Sequence, residues 1–386
     1  MMVIESIAST LGQRSRLSTG PILVDSLNVD ASLAGMMGGR PLDLGDLDVV
    51  RLLLQGQSII DWNRVWYRDL ADVNRFLSLH LIDFEDPLDR RRLRYVHQEA
   101  VSYLQEHLGL HFSADLVNPD DVRDLFLLAS QTGGFRRRQI QACAILKLMH
   151  VINHMEAAEL HFQVPLSEAD ILDLAERRII EGADKMRDMG FPLVAFYGSR
   201  KTRNSIITKL LAKKENTAAT IFDKLRFRIV TEKQDHIIPA IHWLTQNLFP
   251  FNYAIPGQSH NNLVQISEHL MSPGIQEKGG HLQGNGPIDE EQFDDNPFSG
   301  GSYRMVNFIV DFPVRVDELV KLRTGVSLGR TVFAMVEFQV LDRDTARQNE
   351  EGENAHGLYK TRQRSIVERR LKRGARWKKK PIALID

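Results

Sequence analysis

The stretch from Gly198 to Val230, GSRKTRNSIITKLLAKKENTAATIFDKLRFRIV, contains nine basic residues and two acidic ones. Three of its cations, Arg200, Lys201 and Arg203, stand close together directly after an apolar run. The whole chain has a net charge of −1, so this basic block is local. A local basic block on a neutral chain predicts a ligand that carries phosphates, not a protein that coats nucleic acid along its surface.

A helix and a strand are predicted after the basic cluster. Thr202 is placed to cap the helix, and apolar residues recur after it at helical spacing. This spacing puts Ser205 and Lys209 one turn apart, on a line that can share a ligand. The alternation over residues 226–230 predicts a strand, and Asp223 comes just before it. A carboxylate among these cations fits a triphosphate with Mg²⁺, because cations bind the phosphate oxygens while the carboxylate binds the metal.

Length and composition are those of a soluble globular protein. The chain has 386 residues, of which 43% are hydrophobic and 26% are charged, enough for two or three domains. Its one cysteine, Cys143, lies in an apolar run, where a buried thiol is expected. No apolar run reaches the roughly 20 residues that span a bilayer, and the N-terminus lacks a signal core. We therefore expect a cytoplasmic protein with no membrane partner.

The pattern along the chain predicts an α+β protein with a helical N-terminal domain followed by a mixed sheet flanked by helices. Helical periodicity dominates the first half, where residues 167–170 resemble a capping box. Clean alternation follows in residues 303–312 and 331–341. The predicted divisions are an irregular arm (1–45), an all-helical domain (46–190), a sheet domain (191–362) with a long insertion (257–301), and a basic tail (363–386).

Glu337 is a carboxylate in the middle of an otherwise apolar strand. An unpaired buried charge is costly, so such a residue is either functional or part of a salt bridge. Two interpretations stay open. Glu337 can belong to a binding site, or it can pair with Arg226 or Arg228 in the core.

Two histidines, His150 and His154, are spaced four residues apart on a predicted helix. Zinc is one hypothesis, but Val151 stands where the zinc-protease motif needs a glutamate. Packed, hydrogen-bonded histidines are favoured on a mostly apolar helix.

The order of these features resembles the synthetase domain of the RelA/SpoT family of alarmone synthetases. Lys201, Ser205 and Lys209 are in register with the family's R-x-K-x-x-x-S-x-x-x-K motif, although Ser199 replaces the leading arginine. The spacing of Asp223 and Arg228 also matches the family's Asp and Arg. Further matches are Tyr303 in the G-Y-x-S-x-H strand, residues 337–339 in the E-x-Q-x-R strand, and residues 355–360 in the A-H-x-x-Y-K segment.

The resemblance implies a fold related to nucleotidyltransferases that transfers pyrophosphate from ATP to a nucleotide hydroxyl. It assigns the catalytic and metal-binding roles to Asp223 and Glu337, with Mg²⁺ as cofactor. The remaining roles are ATP binding for Arg200, Lys201, Ser205, Lys209 and Arg228, and acceptor binding for Tyr303, Gln339 and His356.

Departures from the family pattern are concentrated on the acceptor side. Asn252 replaces an acid, Gly257 a base, Asn307 a histidine and Leu341 an arginine. The identity of the acceptor therefore stays open, and a different nucleotide or an RNA end fits the sequence as well as a guanine nucleotide does.

The basic tail leads to an alternative function. Residues 360–380 contain eleven lysines and arginines and one acid, with Trp377 among them. Such a segment can contact RNA, or it can be a solubilising tail or a helix packed on the domain. The alternative to an enzyme is a non-catalytic sensor that binds a nucleotide or RNA and keeps the synthetase fold.

Overall fold

The computed structural model describes residues 22–24, 44–54, 67–131, 136–212, 224–266, 303–317, 319, 328–350 and 356–372. The first half of the described chain is almost entirely helical, and the second half contains most of the strands. In order, the elements are β1 (Ile22–Val24), α1 (Leu44–Leu54), α2 (Leu70–Leu79), α3 (Pro87–Glu106), α4 (Ala114–Val117), α5 (Asp124–Ser130), α6 (Arg136–Gln163), α7 (Glu168–Asp188), β2 (Leu193–Arg200), α8 (Arg203–Ala212), β3 (Leu225–Thr231), α9 (Ile237–Asn247), β4 (His260–Asn261), β5 (Val264–Ile266), β6 (Val306–Arg315), β7 (Thr331–Asp342), α10 (Arg343–Glu350) and α11 (His356–Leu371). This architecture confirms the predicted α+β class.

The main sheet of the described chain has five strands in the order β2-β3-β7-β6-β4. β3 and β7 run parallel, and the other neighbouring strands are antiparallel, so the sheet is mixed. The parallel pair requires a long connection, which contains α9 and then β4, β5 and β6. The sheet therefore places residues 226–228 next to residues 337–339, far apart in sequence.

One face of this sheet is an aromatic core. Alternate residues of β3, β6 and β7 point to it, and Phe227, Phe308 and Phe338 are fully buried there. The Phe338 ring lies 6.1 Å from the Phe227 ring and 5.6 Å from the Phe308 ring. Gly198 lies opposite Phe227 in the β2–β3 pair, where a Cβ atom would approach the Phe227 ring within 2.8 Å. The strand alternation predicted from the sequence is confirmed by this burial.

The helical half shares its core with the sheet. Its buried residues and those of the strands form one continuous hydrophobic cluster across the predicted boundary at residue 190. The predicted helix starting near Ser167 is confirmed, and Ser167 and Asp170 form a reciprocal capping box. The predicted helix that carries His150 and His154 corresponds to α6, which contacts α3, α5 and β7.

Two segments predicted as irregular contain strands. β1 lies within the predicted N-terminal arm and pairs in parallel with β5, from the start of the predicted insertion. β4, also within that insertion, pairs with β6. Backbone pairing over such a sequence separation leaves no local signal, so strands of two or three residues are missed from sequence. The rest of the insertion, from residue 267 onward, lies outside the described residues.

A charged cluster, here called the helix–sheet network, joins the start of α3 to the β6 and β7 strands. Arg315 Nη1 donates to Asp89 Oδ2 at 2.8 Å, and its Nε donates to Asp317 Oδ1 at 2.8 Å. Arg330 Nη1 donates to Asp86 Oδ2 at 2.8 Å and to Asp317 Oδ2 at 3.1 Å. Two cations thus meet three carboxylates, and the helical half is held against the sheet edge.

Among the described helices, none combines the length and the apolarity that a bilayer span requires.

Candidate functional site

The second face of the sheet carries a row of polar side chains on β3 and β7. In the parallel register Arg226 lies beside Glu337, and Arg228 lies beside Gln339. All four point away from the aromatic core, because the intervening Phe227 and Phe338 point into it. We call this row, together with Tyr303, the polar face.

Glu337 is held from both sides. Its side chain is only 5% exposed, and Arg226 Nε donates to its Oε2 at 2.7 Å. Gln339 Nε2 donates to its Oε1 at 3.0 Å. The Arg226 pairing that the sequence left open is therefore present, and each carboxylate oxygen accepts one hydrogen bond.

Arg228 has a different set of partners. Its Nε and Nη2 donate to Gln339 Oε1 at 3.2 and 3.1 Å, and Nη2 also donates to the Tyr303 hydroxyl at 3.2 Å. These acceptors are neutral, so they orient the guanidinium without cancelling its charge. Gln339 links the two arginine positions, because its oxygen accepts from Arg228 while its nitrogen donates to Glu337.

The predicted ATP-binding residues of β2 and α8 lie at the end of β2 and in the connection from β2 to β3. Arg200 is the last residue of β2, and it forms ion pairs with Asp173 at 2.6 Å and Glu176 at 2.5 Å. The predicted cap of α8 is confirmed, since Ser205 N–H donates to Thr202 Oγ1 at 3.3 Å. The Ser205 hydroxyl lies 3.0 Å from the same oxygen.

Two lysines complete the predicted ATP-binding set. The Lys201 N–H donates to the Lys224 carbonyl at 3.0 Å, which ties the end of β2 to the start of β3. Lys209 lies in the last turn of α8. A role of these lysines in ATP binding stays a prediction.

Two predicted site residues fall where side chains are not described. Asp223 lies outside the described residues, immediately before Lys224. His356 begins α11, and only its backbone is described. Their predicted catalytic and acceptor roles therefore stay predictions.

A magnesium ion was predicted at Asp223 and Glu337. On the described polar face Glu337 is the sole carboxylate, and both of its oxygens already accept hydrogen bonds from Arg226 and Gln339. Nowhere in the described chain do three or more His, Cys, Asp or Glu side chains form a group suited to a metal. The described residues by themselves do not fit a magnesium ion, and a site shared by Asp223 and Glu337 stays a prediction.

The acceptor-side departures occupy two environments. Leu341 is buried, and Asn307 lies beside Gln339 in the β6–β7 register, at the edge of the polar face. Asn252 is buried, and its Nδ2 donates to His80 at 3.1 Å and to His150 at 3.0 Å. Asn252 thus binds the helical half through two histidines.

The contacts of His150 and His154 bear on the zinc hypothesis. His150 bonds to Asn252, whereas His154 Nε2 lies 3.3 Å from Asp311 Oδ2 and its ring stacks on Phe333. The structural interpretation of these two histidines is therefore supported. The sequence indicated the spacing of His150 and His154 but contained no signal for His80, the C-cap residue that follows α2.

Burial lowers the pKa values of the two histidines that bond to Asn252. Burial lowers the pKa of His80 to about 4, although its hydrogen bonds to Phe76 and Asn252 act in the opposite direction. Burial, with His80 and His154 nearby, lowers the pKa of His150 to about 3. Both rings are neutral at pH 7 and act as structural hydrogen-bonding groups.

The start of the predicted basic tail is a packed helix. α11 contacts α8, with Ile366 and Val367 packed on Ala212. Arg370 Nη1 donates to the Leu211 carbonyl at 2.9 Å. A packed helix was one of the sequence-based alternatives, and it is supported for the start of the tail, around Ile366 and Val367. Residues 373–386 lie outside the described chain.

Comparison with known proteins gives partial structural likeness. Neither a protein-family model nor a curated protein sequence matches the chain. Small alarmone synthetase 2 from Bacillus subtilis is 15% identical with a TM-score of 0.27, over 51% of this chain and 88% of that one. Small alarmone synthetase 1 from the same organism is 13% identical with a TM-score of 0.27, over 52% and 85%. Family membership does not follow from values this low, so the function has to be argued from the side chains.

Proposed function

We propose that the polar face binds the phosphates of ATP and that the protein is a Mg²⁺-dependent pyrophosphokinase acting on a nucleotide or RNA-end hydroxyl. The observation that carries this proposal is the environment of Arg228. A half-buried guanidinium that is oriented by Gln339 and Tyr303, both neutral, keeps its positive charge for an anionic ligand. Phosphate oxygens match its planar array of donors.

The reaction needs oriented cations and one base. The acceptor hydroxyl oxygen forms a bond to the β-phosphorus of ATP, the bond from that phosphorus to the α–β bridging oxygen breaks, and AMP leaves. Arg228 is placed to hold the transferred phosphates, with Lys201, Ser205 and Lys209 as predicted partners. Glu337 is the candidate to accept the hydroxyl proton, because a carboxylate has about four lone-pair sites and only two accept hydrogen bonds here.

A non-catalytic binder is the second candidate. It is favoured by the ion pair of Glu337 with Arg226. A buried, ion-paired carboxylate is accounted for by a structural role in the sheet, without any role in catalysis. In this case Arg228 binds the nucleotide or an RNA phosphate, and no bond is broken.

The test is AMP release from ATP in the presence of Mg²⁺ and a panel of acceptors that includes GDP, GTP, other nucleotides and tRNA. We expect AMP release with one acceptor class and poor release with GDP and GTP, because several acceptor-side polar groups are replaced. Loss of several polar contacts, each worth about 1–3 kcal/mol, weakens binding by orders of magnitude.

Each outcome decides between the candidates. AMP release that requires an acceptor supports the enzyme. ATP binding without AMP release under any condition supports the binder. Absence of ATP binding contradicts the enzyme, and absence of both ATP binding and RNA binding contradicts the binder. Rapid AMP release with GDP or GTP would show that the acceptor-side departures do not exclude guanine nucleotides.

A further inference from the structure

An exposed apolar stripe runs along α6, on the side of the helix that faces away from the core. Val151 is 47% exposed, Met155 61% and Phe162 89%. The core-facing side of the same helix is already occupied by residues such as Ile145 and Leu146, which are buried. Large apolar side chains exposed in line on one helix are typical of a surface that packs against another protein.

The spacing of the stripe is that of a helix that pairs with another helix. Its members recur in steps of four and three residues, which is the seam of a coiled coil and narrower than the face of a helix packed on a globular core. They are Ala144, Leu148, Val151, Met155, Ala158 and Phe162. Leu148 also packs on the core, so the exposed part of the seam is its C-terminal portion.

The seam is self-complementary when a second copy of α6 runs antiparallel to the first. With the two-fold axis at the level of residue 153, positions whose numbers sum to 306 face each other. Phe162 then faces the partner's Ala144, Leu148 faces the partner's Ala158, and Met155 faces the partner's Val151. Every large residue meets a smaller one, which is how two helices interdigitate without voids. A two-fold axis makes each contact twice, as isologous interfaces require.

Charge favours the antiparallel arrangement over the parallel one. The first turn of α6 is basic, with Arg136, Arg137 and Arg138, whereas its far end approaches the acidic start of α7 at Glu168 and Asp170. Antiparallel pairing brings the basic end of one copy to the acidic end of the other, and opposes the two helix dipoles. Arg138 already pairs with Asp115, and Glu168 with Lys224, so this contribution is a field effect rather than a set of new bridges.

We propose that α6 pairs with α6 of a second copy of this chain in an antiparallel two-fold interface. Its members are the six seam residues, of which Val151, Met155, Ala158 and Phe162 are exposed in one copy and Ala144 and Leu148 are half-buried. The occupant is a second copy because the stripe complements itself in both side-chain size and end charge. The interface is built on the helical half and is independent of the activity of the polar face.

The first experiment measures mass in solution by light scattering and sedimentation at micromolar concentrations. We expect the full chain to have twice the mass of one chain, and Met155→Glu to have the mass of one. Ile180→Glu is the matched control, because Ile180 is 45% exposed on α7 and lies off the stripe. A monomeric full chain, or a Met155→Glu variant that stays dimeric, overturns the proposal.

The second experiment tests the direction of the pairing by disulfide formation. A mixture of the Val151→Cys and Met155→Cys variants is expected to cross-link at least tenfold faster than either variant alone, because those positions face each other across the axis. Cys143 is buried, which keeps it out of the reaction. Rapid cross-linking of Val151→Cys with itself would indicate parallel helices and overturn the arrangement. Circular dichroism of each variant checks that α6 is intact.

Discussion

The helix–sheet network and the polar face are both built around two arginines, and they differ in how the charge is balanced. In the network, Arg315 and Arg330 meet three carboxylates. In the polar face, Glu337 neutralises Arg226, while Arg228 is held by Gln339 and Tyr303. The arginines of the network are balanced by carboxylates, which suits a structural role. Arg228 has neutral partners and keeps its charge, which is why we propose that the polar face binds an anion.

The electrostatics of the network agree with a structural role. The hydrogen bond from Arg330 lowers the pKa of Asp86, and hydrogen bonds to Asp317 and Asp89 raise the pKa of Arg315 despite its partial burial. Both shifts mean that the charged forms stabilise the folded state.

The largest expected effect is the loss of Arg315. Arg315→Ala leaves Asp89, which is 6% exposed, without its closest cation, so we expect the free energy of unfolding to fall by about 3–5 kcal/mol. Urea denaturation measures this. The control is Arg343→Ala, which removes an exposed 3.6 Å pair with Glu232 and is expected to cost less than about 1 kcal/mol. Equal effects of the two substitutions would mean that the network does not hold the two halves together.

The second expected effect is a loss of stability in mild acid, and it comes from the neutral cluster of His80 and His150 rather than from either arginine cluster. In the unfolded chain these histidines take up protons near pH 6.5, whereas in the fold their pKa values are about 4 and 3. Their contribution to the free energy of unfolding is therefore fully present above pH 6.5 and is lost as the pH falls toward 4. For His80 alone it is on the order of 3 kcal/mol.

Denaturation at several pH values checks this, with His80→Gln as the variant. We expect His80→Gln to be less stable at pH 7 but to lose less stability between pH 6.5 and 4. His111→Gln, at an exposed position, is the control and is expected to follow the wild type. If His80→Gln had the same pH slope as the wild type, the buried neutral ring would not be the cause.

The third effect separates catalysis from binding at the polar face. Glu337→Gln removes one negative charge beside the predicted phosphates, so ATP affinity is expected to stay the same or rise. AMP release is expected to fall at least ~100-fold, because a general base contributes about 10²–10⁴ in rate. The same assay on Glu232→Gln, at an exposed glutamate after β3, gives the baseline. Unchanged AMP release in Glu337→Gln would remove Glu337 from the chemistry.

Local signals predicted much of this molecule. The capping box at Ser167 and the alternation in β6 and β7 are properties of adjacent residues, and each was confirmed where the structure describes it. The Arg226–Glu337 pair could be named as one of two options, since both residues stand out in their strands. Its choice over Arg228 needed the parallel register, which no local pattern encodes.

The features that could not be predicted from the sequence depend on contacts between residues far apart in the chain. The hydrogen bonds of Asn252 join residues 172 and 102 positions away in sequence, and their partners come from different helices. The β1–β5 pairing likewise depends on backbone groups and not on side-chain type. Arg228 has a neutral partner in Gln339 because the amide oxygen of Gln339 is oriented toward Arg228. That orientation depends on Glu337, which accepts a hydrogen bond from the amide nitrogen of Gln339.

The most direct test of the account is titration of ATP into the wild type, Arg228→Ala, Arg228→Lys and the control Arg343→Ala. Hydrogen bonds to charged groups contribute about 1.5–3 kcal/mol, so Arg228→Ala is predicted to weaken ATP binding about tenfold or more. Arg228→Lys, which keeps the charge without the planar donors, is predicted to fall between Arg228→Ala and the wild type, and Arg343→Ala to match the wild type. Wild-type ATP affinity in a correctly folded Arg228→Ala variant would contradict the claim that the polar face is the phosphate site.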